Sequence, residues 1–256
     1  MSKRSSWSIP YLIFLIIFVV LPLILILVYA LQDTQGGFTF SNITRFFSDS
    51  DAINTFAVSI EVAIENTAIC LLLGYPAAWI LANTKYNKSA VTIVLFILPM
   101  WINALMRTLA TAELFNVLGF TLGKGTLLFG LAYDYLPFMI YPIYNTLKKM
   151  DKSYAEAAED LGATPFTVFR KVTVPLSMPG ISSGVLMVFM PTVSTFAISE
   201  FLTNSKIKLF GTIIQENINS SMWNYGAALA FIMLIIIGIT SFLSGKDDKE
   251  AAGGLI

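Results

Sequence analysis

Six apolar stretches alternate with polar ones along the 256 residues. The first, Tyr11 to Leu31, runs 21 residues without a charge. A signal-peptide core is only roughly 7–15 residues long, so this stretch reads as a retained span. Phe56 to Leu81, Ala90 to Leu109, Leu127 to Leu147, Pro179 to Phe201 and Tyr225 to Leu243 repeat the pattern. The segments between them, Gln32–Thr55, Asn83–Ser89, Ala110–Thr126, Lys148–Met178 and Leu202–Asn224, are expected as loops. The pattern predicts an all-α polytopic membrane protein with six transmembrane helices in one domain, residues 11–243. It is flanked by a basic tail at 1–10 and a charged tail at 244–256. Pro76, Pro99, Pro137, Pro142 and Pro191 fall inside the spans, where neighbouring helices can satisfy the backbone groups a proline frees.

The longest polar island, residues 148–178, has its own local grammar. Ser153 followed by Glu156 fits a capping box. Ala155, Ala157, Ala158 and Leu161 favour a short helix from Tyr154 to Leu161. Gly162 stands where a left-handed residue would stop it. Thr164-Pro165 reads as an N-cap with proline at the first helical position. It starts a second short helix, Phe166 to Thr173, that ends before Pro175. Two short helices at an angle, carrying Phe166, Val168 and Phe169, form a protrusion that a partner can grip. The plain alternative is an amphipathic linker.

Composition sharpens this picture. The chain is 56% hydrophobic and 12% charged, against about 25% charged in an ordinary soluble domain. One cysteine, Cys70, excludes an internal disulfide, and the absence of histidine removes most zinc sites and all histidine-based triads. Basic residues set the orientation. With the N-terminus inside, eleven (Lys3, Arg4, Lys85, Lys88, Lys148, Lys149, Lys152, Arg170, Lys171, Lys246, Lys249) are cytoplasmic and five (Arg45, Arg107, Lys124, Lys206, Lys208) are outside. That distribution obeys the positive-inside rule and places both termini and the island in the cytoplasm.

Four acids lie within apolar stretches: Glu61, Glu65, Asp134 and Glu200. A charge at mid-membrane costs roughly 2.5–3.5 kcal/mol on insertion scales, so such residues usually face the bundle interior and serve function. Glu61 and Glu65 are four apart on one helix face, where like charges repel unless a cation shares them. Pairing with Arg107, or a position at the interface, is the structural alternative. Counting these four, the outer half has nine acids against five bases. Such a surface concentrates cations, and Trp101, Tyr133, Tyr135 and Phe196 could hold ammonium groups by cation–π contact. Interfacial aromatic belts are the commoner explanation for at least half of such residues. Gly119 to Gly125 imitates a phosphate-binding loop. It has three residues between its glycines instead of four, and Gly125 in place of the hydroxyl residue, so it carries no ATP site.

Glu156-Ala157-Ala158, Gly162, and Val172-x-Val174-Pro175 together resemble the EAA loop of bacterial ABC-importer permeases, whose usual ending is Ile-x-Leu-Pro. Leu73–Trp79 (LGYPAAW), Leu98–Arg107 (LPMWINALMR) and Leu136–Ile140 (LPFMI) resemble the PotB-type permeases of spermidine/putrescine importers. Glu200 matches a position where those permeases carry an acid. The resemblance implies a type I ABC-importer permease fold, in the bacterial cell membrane, with no catalytic site of its own. It implies that Glu156, Ala157, Ala158, Gly162 and Pro175 couple to a separate ATPase, which alone would bind ATP and magnesium. It further implies a second, PotC-like permease, two ATPase subunits, an extracellular or periplasmic substrate-binding protein and a polyamine substrate, with no nucleic-acid partner. A permease for another small solute, a passive channel subunit and an integral membrane enzyme are the competing readings. The enzyme lacks any nucleophile–base pair, and the channel leaves the EAA island unexplained.

Overall fold

The computed structural model describes residues 9–33, 35–83 and 91–253, with side chains as far as Ser241. The basic N-terminal tail, the Lys85 and Lys88 turn and the side chains of the C-terminal tail lie outside that set. Four helices are long and apolar enough to cross a membrane: α1 (Ile9–Ala30), α3 (Ser50–Ala82), α6 (Lys124–Lys149) and α12 (Trp223–Ser241). Two bent pairs raise the number to six if each counts as one span: α4 (Val91–Trp101) with α5 (Ala104–Val117), and α8 (Pro165–Leu176) with α9 (Met178–Ser194). The shorter elements are α2 (Ser41–Ser48), α7 (Ser153–Asp160), α10 (Ala197–Thr203) and α11 (Phe210–Asn219). Among the described residues the one extended pairing is an isolated bridge between Gln32 and Phe38.

Local chemistry sets the ends. Asp49 caps α3 by accepting from the N–H groups of Asp51 and Ala52, each at 3.1 Å. At 33 residues, α3 is longer than the ~20 that a bilayer requires, so it projects beyond the apolar layer. Pro22 and Pro175 are each preceded by a widened turn, in which Leu21 donates to Ile16 and Val174 donates to Phe169. A proline ring in regular helix collides with the carbonyl four residues back, and an extra residue in the turn relieves that collision.

α3, α6 and α9 pack as the central trio, α12 runs beside α1, and α10 lies against both α5 and α6. The largest apolar cluster joins Tyr75, Met139, Ile140, Ile143, Tyr144 and Val188. Without a hydrophobic drive between helices in lipid, close approach and hydrogen bonds hold the bundle together. Gly180 and Gly184 of α9 lie against Pro142, Thr146 and Met139 of α6; a Cβ at 180 would collide with Thr146 and the Pro142 backbone, and one at 184 would press mainly on the flexible Met139 side chain. Asn66 Nδ2 donates to Thr192 Oγ1 at 2.9 Å, and the Phe210 N–H to Ser59 Oγ at 2.7 Å.

Several expectations need correction. The segment Ala110–Thr126 is helical as far as Val117, because the third span breaks at Ile102–Asn103, bends by 89° and resumes as α5. The fifth span ends at Ser194, not Phe201; Thr195 turns to extended backbone and Glu200 sits on the separate helix α10. In the island, Pro175 does not stop the second helix, which passes through it to Leu176. The loops at 32–55 and 202–224 also contain helices, α2 and α11.

Candidate functional site

The polar island, residues 148–178, folds as two short helices, α7 and α8. The expected capping box is absent, since α7 has no side-chain cap and the Ser153 N–H is taken by Asp151 Oδ1 at 3.0 Å. That backbone bond leads the effects that hold the Asp151 carboxyl below the usual range. Gly162 terminates α7 as anticipated, with φ +80°. Its N–H bonds to Glu159 (2.8 Å) and that of Ala163 to Ala158 (3.1 Å), both closing bonds of a Schellman turn. Thr164 caps α8 through the Thr167 N–H at 3.4 Å.

Phe169 anchors this loop, its ring 5.8 Å from Tyr75 and 6.5 Å from Trp79 at the end of α3. Tyr75 also shares a 3.0 Å hydrogen bond with Ser177 at the bend between α8 and α9. Glu156 and Glu159 border a groove of about 600 Å³ with Trp79, Lys148 and Phe169. Leu161 is 89% and Phe166 71% exposed, an apolar face that nothing among the described residues covers. Ala157 and Pro175 are exposed and Ala158 half-buried.

The acids lie toward the opposite end of α3 and α6 and divide into three groups. Glu61 and Glu65 share the ammonium of Lys124, at 2.6 and 2.8 Å. The cation that their spacing requires is therefore Lys124, the lysine of the false phosphate loop. Asp134 pairs with Arg107, Oδ1 to Nη2 at 3.0 Å, with both side chains more than nine-tenths buried. Glu200 is exposed and, with Phe196, borders a small cavity of about 90 Å³.

A larger cavity, about 800 Å³, is bordered by Asp49, Asp51, Glu61, Lys124 and Glu216. The two cavities share Ser205, Ile207, Lys208 and Glu216 as a common wall. The fold thus brings Glu61 and Glu200 to adjoining spaces and leaves Asp134 bordering neither. Trp101 stands 88% exposed at the break of the third span, Tyr133 lies with its ring 5.5 Å from the Arg107 guanidinium, and Tyr135 is half-buried beside Phe138. Lys124 escaped the sequence reading because its partners are 59 and 63 positions away. The Gly180/Gly184 spacing was visible and was the available signal for close packing of α9.

A helical membrane chain with an exposed two-helix loop at one end and acid-bordered cavities at the other has the make-up of a transport subunit. The chain belongs to the family of binding-protein-dependent transport system inner membrane components, which it matches over residues 4–245, and is a permease subunit. It is 32% identical to the spermidine/putrescine transport system permease protein PotB of Escherichia coli, over 88% of this chain and 90% of that one. It is 27% identical to the corresponding permease protein PotC of Shigella flexneri, over 91% and 92%. Its fold matches a chain of a bacterial ABC transporter that imports the acidic polysaccharide alginate, with TM-score 0.66 at 18% identity, covering 96% of this chain and 98% of that one.

Proposed function

We propose that the chain forms half of the translocation pathway of an ATP-driven importer for polyamines, in the bacterial inner membrane. The observation that carries the reading is the likeness, along nearly the whole chain, to permeases of spermidine/putrescine systems. The outer-half carboxylates support it. Glu61 and Glu200 border the two adjoining cavities, Glu65 shares Lys124 with Glu61, and the three would hold ammonium groups, assisted by Phe196 and by Trp101, Tyr133 and Tyr135 when the helices rearrange. Asp134 would join them only by giving up Arg107.

Both termini and the α7–α8 loop lie in the cytoplasm, a placement that the eleven-to-five distribution of basic residues supports. An ATPase subunit docks on that loop through the Glu156–Ala158 helix, Gly162 and the exposed Leu161 and Phe166, and supplies ATP and magnesium. A PotC-like permease completes the pathway, two ATPases serve the pair, and a binding protein delivers solute to the outer cavities.

The test is transport by the reconstituted complex in vesicles, offered labelled spermidine, putrescine, amino acids and sulfate in parallel. ATP-dependent uptake confined to polyamines is the expected result. ATP-dependent uptake of another solute without polyamines would overturn the substrate class, and flux without ATP would restore the channel reading.

A further inference from the structure

The break in the third span carries a charged contact that the transport reading leaves unused. α4 and α5 meet at 89°. Asn103 caps the new helix by accepting from the N–H groups of Leu105 and Met106 at 2.9 and 3.4 Å. One turn on, Arg107 Nη2 reaches Asp134 Oδ1 of α6 at 3.0 Å, and Thr108 Oγ1 donates to Oδ2 at 3.3 Å. The side chains of Arg107 and Asp134 are 7% and 3% exposed.

A guanidinium offers five N–H donors. Here Nε and Nη1 are both buried with no acceptor among the described residues. The Tyr133 ring, 5.5 Å from Cζ, covers the guanidinium without accepting a conventional hydrogen bond. Burying donors without partners forfeits their hydration and gains nothing in return. A buried ion pair is stable only when the rest of its hydrogen-bonding capacity is also met. This pair is closed but under-coordinated. It also sits at the first turn after a fracture, where α5 can swing about Ile102–Asn103 without breaking its own helical ladder.

We infer that Arg107 and Asp134 form a latch. It holds α5 against α6 in the state described and opens during the transport cycle, when Nε and Nη1 gain acceptors that the described residues do not supply. The inference rests on the permease reading and not on the identity of the solute.

Thr108 reports on the latch, because it is 2% exposed and bonded to Asp134. In the reconstituted complex, with Cys70→Ala, a Thr108→Cys variant is treated with a small water-soluble methanethiosulfonate reagent, at rest and after trapping with ATP and vanadate. Labelling should be at least tenfold faster in the trapped state. Cys70 of the unsubstituted chain, fully buried in α3, should stay unlabelled in both states and so exclude general loosening. Equal rates at rest and when trapped, slow or fast, overturn the latch.

A second variant covers failure of the first to assemble. Arg107→Gln with Asp134→Asn removes both charges and keeps polar side chains at both positions, asparagine matching aspartate in size and glutamine being smaller than arginine. It should raise ATP hydrolysis in the absence of binding protein severalfold and lower uptake per ATP. An unchanged ratio overturns the latch. Both readouts stand if the transported solute proves not to be a polyamine.

Discussion

Replacing Gly180 by alanine tests how the bundle is held. Gly180 and Gly184 lie one turn apart on α9 and let its backbone touch α6, the small-residue device of membrane helices. A Cβ at 180 would stand 2.6 Å from Thr146 Oγ1 and 2.9 Å from the Pro142 carbonyl oxygen. The hydroxyl cannot turn away freely, because it already donates to that same carbonyl at 3.1 Å. The carbonyl is backbone and moves only if the helices part. Overpacking of this kind costs about 1–3 kcal/mol, against a gain of about 1 kcal/mol from the helix propensity of alanine. Gly180 lies in the first turn of α9, where that gain is smallest, so the net loss should be about 1–2 kcal/mol.

Gly184→Ala is the internal control. Its Cβ meets the flexible Met139 thioether at 2.8 Å and the carbonyl at 3.2 Å, so the two effects should nearly cancel. Gly238 has nothing within 4 Å, and Gly238→Ala should be neutral or stabilising. At roughly 2–4 °C per kcal/mol for a chain of this size, Gly180→Ala should lower the midpoint of heat-induced loss of the monodisperse chromatographic peak in detergent by ~2–8 °C. The order Gly238→Ala, Gly184→Ala, Gly180→Ala is the firmer expectation. If Gly180→Ala is as stable as Gly184→Ala, the close contact between α9 and α6 is not what the geometry implies.

Asp49→Ala removes the α3 cap and the 2.9 Å bond from the Tyr225 hydroxyl and should cost about 1–2 kcal/mol. The Ala52 N–H and then the Tyr225 hydroxyl hold the Asp49 carboxyl below its ordinary range. Its contribution is therefore complete above the unfolded value near ~3.9 and is lost as pH falls through the lower folded value. Melting measured against pH should lose that acid-side component in the variant, and an unchanged profile would contradict the cap. Lys124→Gln leaves Glu61 and Glu65 unshielded, yet solvent screens exposed pairs and they contribute little, so stability should barely move. The half-saturating polyamine concentration for uptake should fall, since the resident cation no longer competes for the two carboxylates; a rise would remove them from the pathway. Gly162→Asp places a Cβ at φ +80° with nothing among the described residues within 4 Å. Insertion should survive a backbone cost of about 1–2 kcal/mol, while co-purification with the ATPase is lost; normal co-purification would mean that the α7 turn is not the docking contact.

Spans that stay straight were legible because hydropathy accumulates over many residues. Ile9–Ala30, Lys124–Lys149 and Trp223–Ser241 fall within a few residues of the expected 11–31, 127–147 and 225–243. The ends of α7 were legible for a local reason, since Gly162 alone has the freedom for its turn. What escaped was set by competition or by distance. Ser153 and Glu156 satisfy a capping pattern, yet Asp151 takes the Ser153 N–H first. Residues 110–117 hold the good helix formers Ala110, Ala112, Glu113 and Leu114, but Thr111, Glu113 and Asn116 break up the apolar run, so the stretch reads as loop. Glu61 and Glu65 announced the need for a cation without naming Lys124, because an ion pair across helices leaves no periodic trace in the sequence.

The fractures are the part of this fold that hydropathy averages away, and their polar residues explain how an apolar layer tolerates them. An interrupted helix in lipid exposes N–H and C=O groups that only protein can satisfy. At the first break Asn103 accepts from two of the freed N–H groups. At the second, Ser177 donates to the Val174 carbonyl at 2.9 Å and engages the Tyr75 hydroxyl. At the third, Ser194 donates to Met190 at 3.1 Å, and the side-chain-free Cα of Gly211 lets α11 close over the Ser194 and Thr195 carbonyls. Each break thus carries a side chain or a glycine suited to it, in a chain with few polar residues to spare. Two of these breaks adjoin the residues with chemistry to offer: the first lies one turn from Arg107 and next to Trp101, and the third lies beside Phe196 and Glu200. Straight helices could not present those groups while keeping their apolar faces to lipid, so the same residues that interrupt the spans also place the candidate pathway.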